Sequence, residues 1–315
     1  GNSYGIHTAA SSTSITVNGG TVTATSGEAE GDSCGIFAES QTGASDGSSV
    51  TIKSGTVTAT AGDAVGGGWY SCGIRAEGTI TVKDGTVNVK GGNAAGTGNQ
   101  KYSSGLFANV NITVNDGTVI ATGGEATGTV TQRYSTGLYA YRDITINSGT
   151  VTATAGNAVR TGTYSYSFGF CAQNIIINSG TVTATAGNAG SGTINNCSSG
   201  FFAFDNLTIS GGDVTGIGGT GELSCGIGCN DILTITGGTV VGKGGPLAGT
   251  NIQYSAGVNG MGEVKISGGT VTGTGGDTEA GDSFGICTGD TTSYNVVTVS
   301  IKDATVTATG GTATN

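Results

Sequence analysis

The chain has 315 residues, 63 of them glycine and one proline, and carries a formal charge of −10 with only 10% of its residues charged. Its 11 Lys and Arg are scattered singly; a phosphate-binding surface needs them clustered, so nucleic acid is excluded as an expected partner. No run of 18 apolar residues occurs, so no transmembrane helix is expected, and nothing reads as a signal peptide.

Disorder is excluded by order in the composition. The glycines recur at fixed places and β-branched residues fill the positions between them. A triplet Ser-x-Gly opens each of ten units, at Ser3, Ser33, Ser71, Ser103, Ser135, Ser167, Ser198, Ser224, Ser255 and Ser283, spaced 26 to 38 residues apart. Repetition on that scale is the mark of a stacked array, and the length variation falls in loops while the strand-like runs keep their length. Residues 1–315 are therefore expected to form one continuous β-solenoid, either a segment of a longer array or a stackable subunit, with Gly1 the start of a mature or excised piece.

Each unit contains three strands. The first follows the triplet and carries an apolar residue after the glycine: Ile36, Ile74, Leu106, Leu138 and Phe170 in successive units. Alternation places these inward and puts the residue two before them (Cys34, Cys72, Ser104) on the same face, with the serine outward or at the corner. The second strand reads Val50-Thr51-Ile52, Ile80-Thr81-Val82, Ile112-Thr113-Val114 and, in the last unit, Val297-Thr298-Val299. A turn ending in glycine follows in every unit but the last, where Ala304 stands. The third strand is Thr-Val-Thr-Ala-Thr at 56 to 60, 150 to 154 and 181 to 185, with Val and Ala inward. Three short strands per turn of about 31 residues predict an all-β parallel β-helix of ten coils, roughly 48 Å long at the strand spacing.

The succession Ile-Thr-Ile/Val, turn, Ser-Gly or Gly-Gly, Thr-Val-Thr-Ala-Thr and Ala-Gly or Gly-Gly resembles repeats in large secreted or surface proteins of gut and rumen Firmicutes, often described as carbohydrate-binding or adhesin-like. The architecture is similar to the right-handed parallel β-helix of the pectate-lyase-like class. The resemblance implies right-handed winding, an extracellular or cell-surface location and an adhesive or scaffolding role.

Several residues stand out as candidates. Tyr70, Tyr102, Tyr134 and Tyr166 precede the serine in consecutive units, Tyr254 does so later, and Trp69 lies beside the first. Stacked, they would form either an aromatic ladder that binds the apolar faces of sugars or a cover for the loop-to-strand corner. Phe37, Phe107 and Tyr139 are expected to face outward, under loops or in a lateral contact between rods. The outward threonines form a grid resembling β-solenoid ice-binding proteins, interrupted by Asn88, Lys90, Ile120, Val241 and Lys243. Asp63, Asn93, Glu125, Asn157 and Asn188 recur after the third strand, where Asp and Asn serve turns; the calcium nonapeptide of other β-rolls is absent.

Seven cysteines fit no paired framework. Cys34 and Cys72 hold the same position in adjacent units, within disulfide reach at about 4.8 Å, with stacked free thiols the alternative. No CxxC or Cys/His cluster calls for zinc, and nothing calls for another metal or cofactor. Catalysis of the β-helix lyase or hydrolase kind has little support: His7 is the only histidine, no Asp-Asp pair occurs, and Asp84 and Asp116 share a turn tip. The tail at Thr314-Asn315 meets the head at Gly1 in phase with the repeat, as expected either of a segment cut from a longer array or of subunits that stack head to tail into a filament.

Overall fold

The computed structural model describes residues 1–10, 12–41, 47–97, 99–128, 130–159, 164–190, 196–249, 252–289 and 297–313; Thr314 and Asn315 lie outside them. Each coil contributes one strand to each of three ten-stranded parallel sheets. Sheet 1 runs from Ser3–Ala10 to Asp282–Thr288, sheet 2 from Ser14–Val17 to Thr298–Ile301, and sheet 3 from Thr21–Thr25 to Thr305–Thr309. The parallel β-helix read from the sequence is thus borne out. Coils are numbered 1 to 10 from the Ser-x-Gly triplets. Among the described residues there is no helix, and none long and apolar enough to cross a membrane.

Equivalent residues pair directly: Ile112 with Ile80 and Ile144, Val119 with Val87 and Val151, Leu106 with Ile74 and Leu138. These aliphatics fill the interior and are fully buried from coil 2 to coil 9. The small inward Ala59, Ala121, Ala153 and Ala184 of sheet 3 let the opposing sheets approach. In coil 10 the second strand is Thr298–Ile301, so Val299 and Ile301, not Val297 and Val299, continue the rows of Val264 and Ile266.

The first strand departs from simple alternation. Ile36 and Ala38 enter the central core, whereas Cys34 and Phe37 belong to a second cluster on the outside of sheet 1. The face changes at the intervening glycine, which the ladder skips: Cys34 pairs with Cys72 and Ile36 with Ile74. A Cβ on Gly105 would lie 2.7 Å from the Thr122 nitrogen and 2.8 Å from the Gly137 carbonyl oxygen. Only glycine fits between two coils and a neighbouring sheet at that distance.

The serine of the triplet, expected outward or at the corner, is fully buried in coils 2 to 9. The Ser103 hydroxyl donates to the Gly92 carbonyl (2.6 Å) and accepts from the Gly124 N–H (2.6 Å). Ser167, Ser198, Ser224 and Ser255 repeat this clasp at 2.7 to 2.8 Å. Each hydroxyl thereby joins the loop entering its strand to the loop one coil later.

The turn glycine after sheet 2 has a positive φ, +89° at Gly117, where a Cβ would also lie 2.5 Å from the Gly85 carbonyl oxygen. In coil 10, Asp303 takes the positive φ (48°) and Ala304 follows.

Two substitutions test this account. Gly105→Ala forces a methyl against backbone and lowers stability by about 1–3 kcal/mol. Ser103→Ala orphans a buried N–H and a carbonyl and lowers it by about 1–3 kcal/mol. Both are read as shifts in the urea midpoint, and a midpoint unchanged by either refutes the corresponding contact.

Candidate functional site

The outside of sheet 1 carries the chemistry. Because the strand changes face at its glycine, residues five apart both point outward there. In a straight strand their Cα atoms would be about 16 Å apart. Yet the Tyr102 and Phe107 ring centroids lie 5.5 Å apart and Tyr70 and Phe107 4.9 Å, edge to face. The sheet therefore folds toward its outer face, and two rows of rings close over a third row of mostly small residues (Cys34, Cys72, Ser104, Thr136) in the crook.

The tyrosines stack as the sequence suggests, with centroids 5.2 Å apart for Tyr70–Tyr102, 4.8 Å for Tyr102–Tyr134 and 4.9 Å for Tyr134–Tyr166. Phe107 and Tyr139 form the opposite row at 4.9 Å. These rings bury one another. Tyr102 is 2% exposed, Phe107 0%, Phe37 1% and Tyr139 5%, so Phe37, Phe107 and Tyr139 lie on the outer face of sheet 1 but are covered there by neighbouring rings. Tyr254 is buried beyond a break in the row, 6.2 Å from Phe284, and its hydroxyl donates to Asn259 Oδ1 (3.3 Å). Trp69, beside Tyr70, is exposed, as are Tyr141 and Phe204 on the far flank of the sheet.

Arg75 stands in the same outward row as Phe37 and Phe107. Its guanidinium occupies a ring position, 4.5 Å from the Phe37 centroid and 3.8 Å from that of Tyr70. It is held by Asp32 Oδ2 (3.0 Å) and Glu77 Oε1 (3.4 Å). A planar cation can replace a ring in a stack if its charge is met, and both carboxylates meet it here. His7 Nε2 sits 2.8 Å from Glu39 Oε2 at the coil 1 end of the same face. Lys101 and Arg133 are also fully buried: Lys101 Nζ donates to the carbonyls of Gly66 (2.7 Å) and Gly68, and Arg133 Nε to that of Gly128 (2.6 Å). Burial pulls the Lys101 pKa down. The partners are loop carbonyls, which no sequence pattern locates.

Cys34 and Cys72 pair across adjacent coils as free, fully buried thiols. Burial raises the thiol pKa from an ordinary 9.0 to about 12 at Cys197 and Cys229 and to about 11 at Cys287. It also raises Tyr4 to about 12 and pushes Tyr70, Tyr102, Tyr134, Tyr139 and Tyr166 further up.

The recurrent acids and amides serve the loops. Asp63 Oδ1 accepts from the Asn93 N–H (2.7 Å), Asn93 Oδ1 from that of Glu125 (2.9 Å) and Asn157 Oδ1 from that of Asn188 (2.9 Å), each one coil on. Asp84 and Asp116 accept from the N–H of the following glycine at 2.6 and 2.8 Å. Among the described residues no group of three or more His, Cys, Asp or Glu is placed to hold a metal ion. On sheet 3 the threonine row through Thr58 passes Asn88, Ile120 and Thr152, so the grid is broken at the positions read from the sequence.

Hollows open along the loops and on the outer face of sheet 1. The loop hollow, of about 610 Å³, is lined by Pro246, Leu247, Asp277, Thr278 and Glu279 among others. The hollow on sheet 1, of about 260 Å³, opens where the tyrosine row is interrupted.

A family model described as a beta helix repeat matches residues 15–36, 50–69 and 144–162. No curated protein and no solved structure matches the chain. With three parallel sheets in register, the chain is a parallel β-helix repeat protein.

Two measurements probe the ring face. Tyr102→Ala removes a buried ring and costs about 3–5 kcal/mol, while Tyr102→Phe costs under about 1 kcal/mol; a stability unchanged by Tyr102→Ala would instead mark an exposed platform. A thiol or phenol whose pKa rises on folding holds its proton longer in the native state, so stability is complete below about pH 9 and falls as pH climbs through about 12. Urea midpoints flat from pH 8 to about 11 would contradict the burial of these groups.

Proposed function

We propose that the chain is a structural, adhesive column of a bacterial cell exterior that lengthens by seating a further coil on its open faces, from another copy or from more of the same array. The observation that carries this is the register stacking of successive coils, in which each coil buries the aliphatic rows of its neighbour. Val299 and Ile301 are 44% and 52% exposed, although the equivalent Val264 and Ile266 one coil inward are 0% and 1% exposed. At the other face Ile6, Ile15 and Val22 are only partly buried. Both faces thus combine apolar rows with strand edges whose hydrogen-bonding groups point along the axis, the arrangement on which another coil adds.

A heterologous contact of this kind does not close on itself, so it propagates into a filament or stalk. The exterior location is supported by the low-lysine, acidic, Thr/Ser/Gly-rich composition and by buried thiols, because ionisation suppressed by burial slows their oxidation. A glycan-binding ladder finds less support, since the stacked tyrosines turn their faces to one another.

Light scattering across a concentration series tests the proposal. Wild-type protein should grow in mass with concentration and form rods lengthened in whole units in electron micrographs. Val299→Asp with Ile301→Asp should abolish growth without lowering the melting temperature. A strictly monomeric wild type at high concentration would overturn head-to-tail assembly.

A further inference from the structure

The row of rings that begins at Tyr70 stops after Tyr166. Cys197 pairs with Tyr166, Leu223 pairs with Cys197, and Tyr254 resumes the row one coil later, where Ser224 pairs with Ser255. On the opposite row Phe202 is followed by Gly228, which has no side chain to lean across the crook. At coil 8, with Leu223 and Gly228, neither wall carries a ring, and the pocket of about 260 Å³ opens between the Tyr166 ring and coil 9.

Its lining is largely apolar, with Tyr166, Cys197, Phe202, Phe204, Leu223 and Met261. Three amides complete it: Asn230 and Gln253, and Asn196, which is fully buried with neither amide atom hydrogen-bonded among the described residues. Asn230 and Gln253 are the amides open to a ligand hydroxyl, while the Asn196 amide is closed to solvent.

We infer that this pocket binds a single planar aromatic ring bearing a hydrogen-bonding substituent, a phenol in the simplest case, which stacks on Tyr166 and continues the row. Size and chemistry both select that class. A cavity of about 150 Å³ accommodates benzene, so about 260 Å³ holds one substituted ring, and it falls below the roughly 300 Å³ at which pockets for larger ligands begin. A pyranose would bring a rim of hydroxyls, each needing a partner, to walls with only three amides and no charged side chain. A phenol needs one. Its face meets a ring already held at the spacing of the stack, 4.8 to 5.2 Å between successive tyrosines.

The ring can come from a free small molecule or from a tyrosine of another chain. Ligand-observed NMR or calorimetry with p-cresol on the full chain tests the site, with methyl β-glucopyranoside as the sugar probe and the tripeptide Gly-Tyr-Gly to separate the two sources. Saturable p-cresol binding is expected, not displaced by the glucoside. Leu223→Tyr, which supplies from within the residue found in neighbouring coils, should weaken it at least tenfold at an unchanged melting temperature; Cys197→Tyr does the same from one coil away and serves if the first variant misfolds. Gly-Tyr-Gly binding as well as p-cresol points to a protein tyrosine, and its exclusion to a free phenol; both retain the ring assignment. No saturation by about 10 mM p-cresol, equal binding to a folded ring-filled variant, or tighter binding of the glucoside would overturn it.

Discussion

The structure rests on one constraint: equivalent residues of successive coils must stay one strand spacing apart, about 4.8 Å, along all three sheets at once. Any side chain that thickens one coil must be matched in the next or removed. This is why the triplet glycine has its neighbour's backbone within 2.8 Å of where a Cβ would be at Gly105, and why the turn glycine meets the preceding turn at 2.5 Å at Gly117. The same spacing makes the serine clasp possible, since a hydroxyl reaches a carbonyl below it and an N–H above it only if the loops are stacked in register. Variation in length is left to the loops, which lie outside the ladders.

A consequence is that the molecule has two apolar layers rather than one. The aliphatic rows fill the space between the sheets, and the ring rows fill the crook on the outside of sheet 1. The outer layer is packed by complementary volume. Where the middle row is small, as at Ser104 and Thr136, the wall carries Phe107 and Tyr139; where the middle row holds Phe168, the wall shrinks to Cys171. Arg75 obeys the same rule with a guanidinium in place of a ring, which requires Asp32 and Glu77 beside it.

The aliphatic rows and the three-strand coil were legible because stacking repeats each inward residue ten times, and repetition makes alternation unmistakable in sheets 2 and 3. Sheet 1 misled because period-two reasoning assumes an unbroken strand. The correction was visible in principle: apolar rows run through positions 102, 106 and 107, and positions 102 and 107, an odd distance apart, cannot share a face unless the strand is interrupted between them. The glycine at 105 marks the interruption. The buried Lys101 and Arg133 had no such signal, because their partners are carbonyls of loops whose course depends on the neighbouring coil.

The two layers also differ in what they tolerate. Through coils 7 and 8 the inner rows continue without change, with Phe201, Leu207, Ile227 and Leu233 fully buried, while the outer row passes from tyrosine to cysteine to leucine and back. Register is carried by the inner rows, the backbone ladders and the serine clasps, so the outer face can lose a ring without disturbing the column. Specific chemistry on such a scaffold therefore belongs where the outer rows depart from the repeat, and a regular stack, however aromatic, is read as packing.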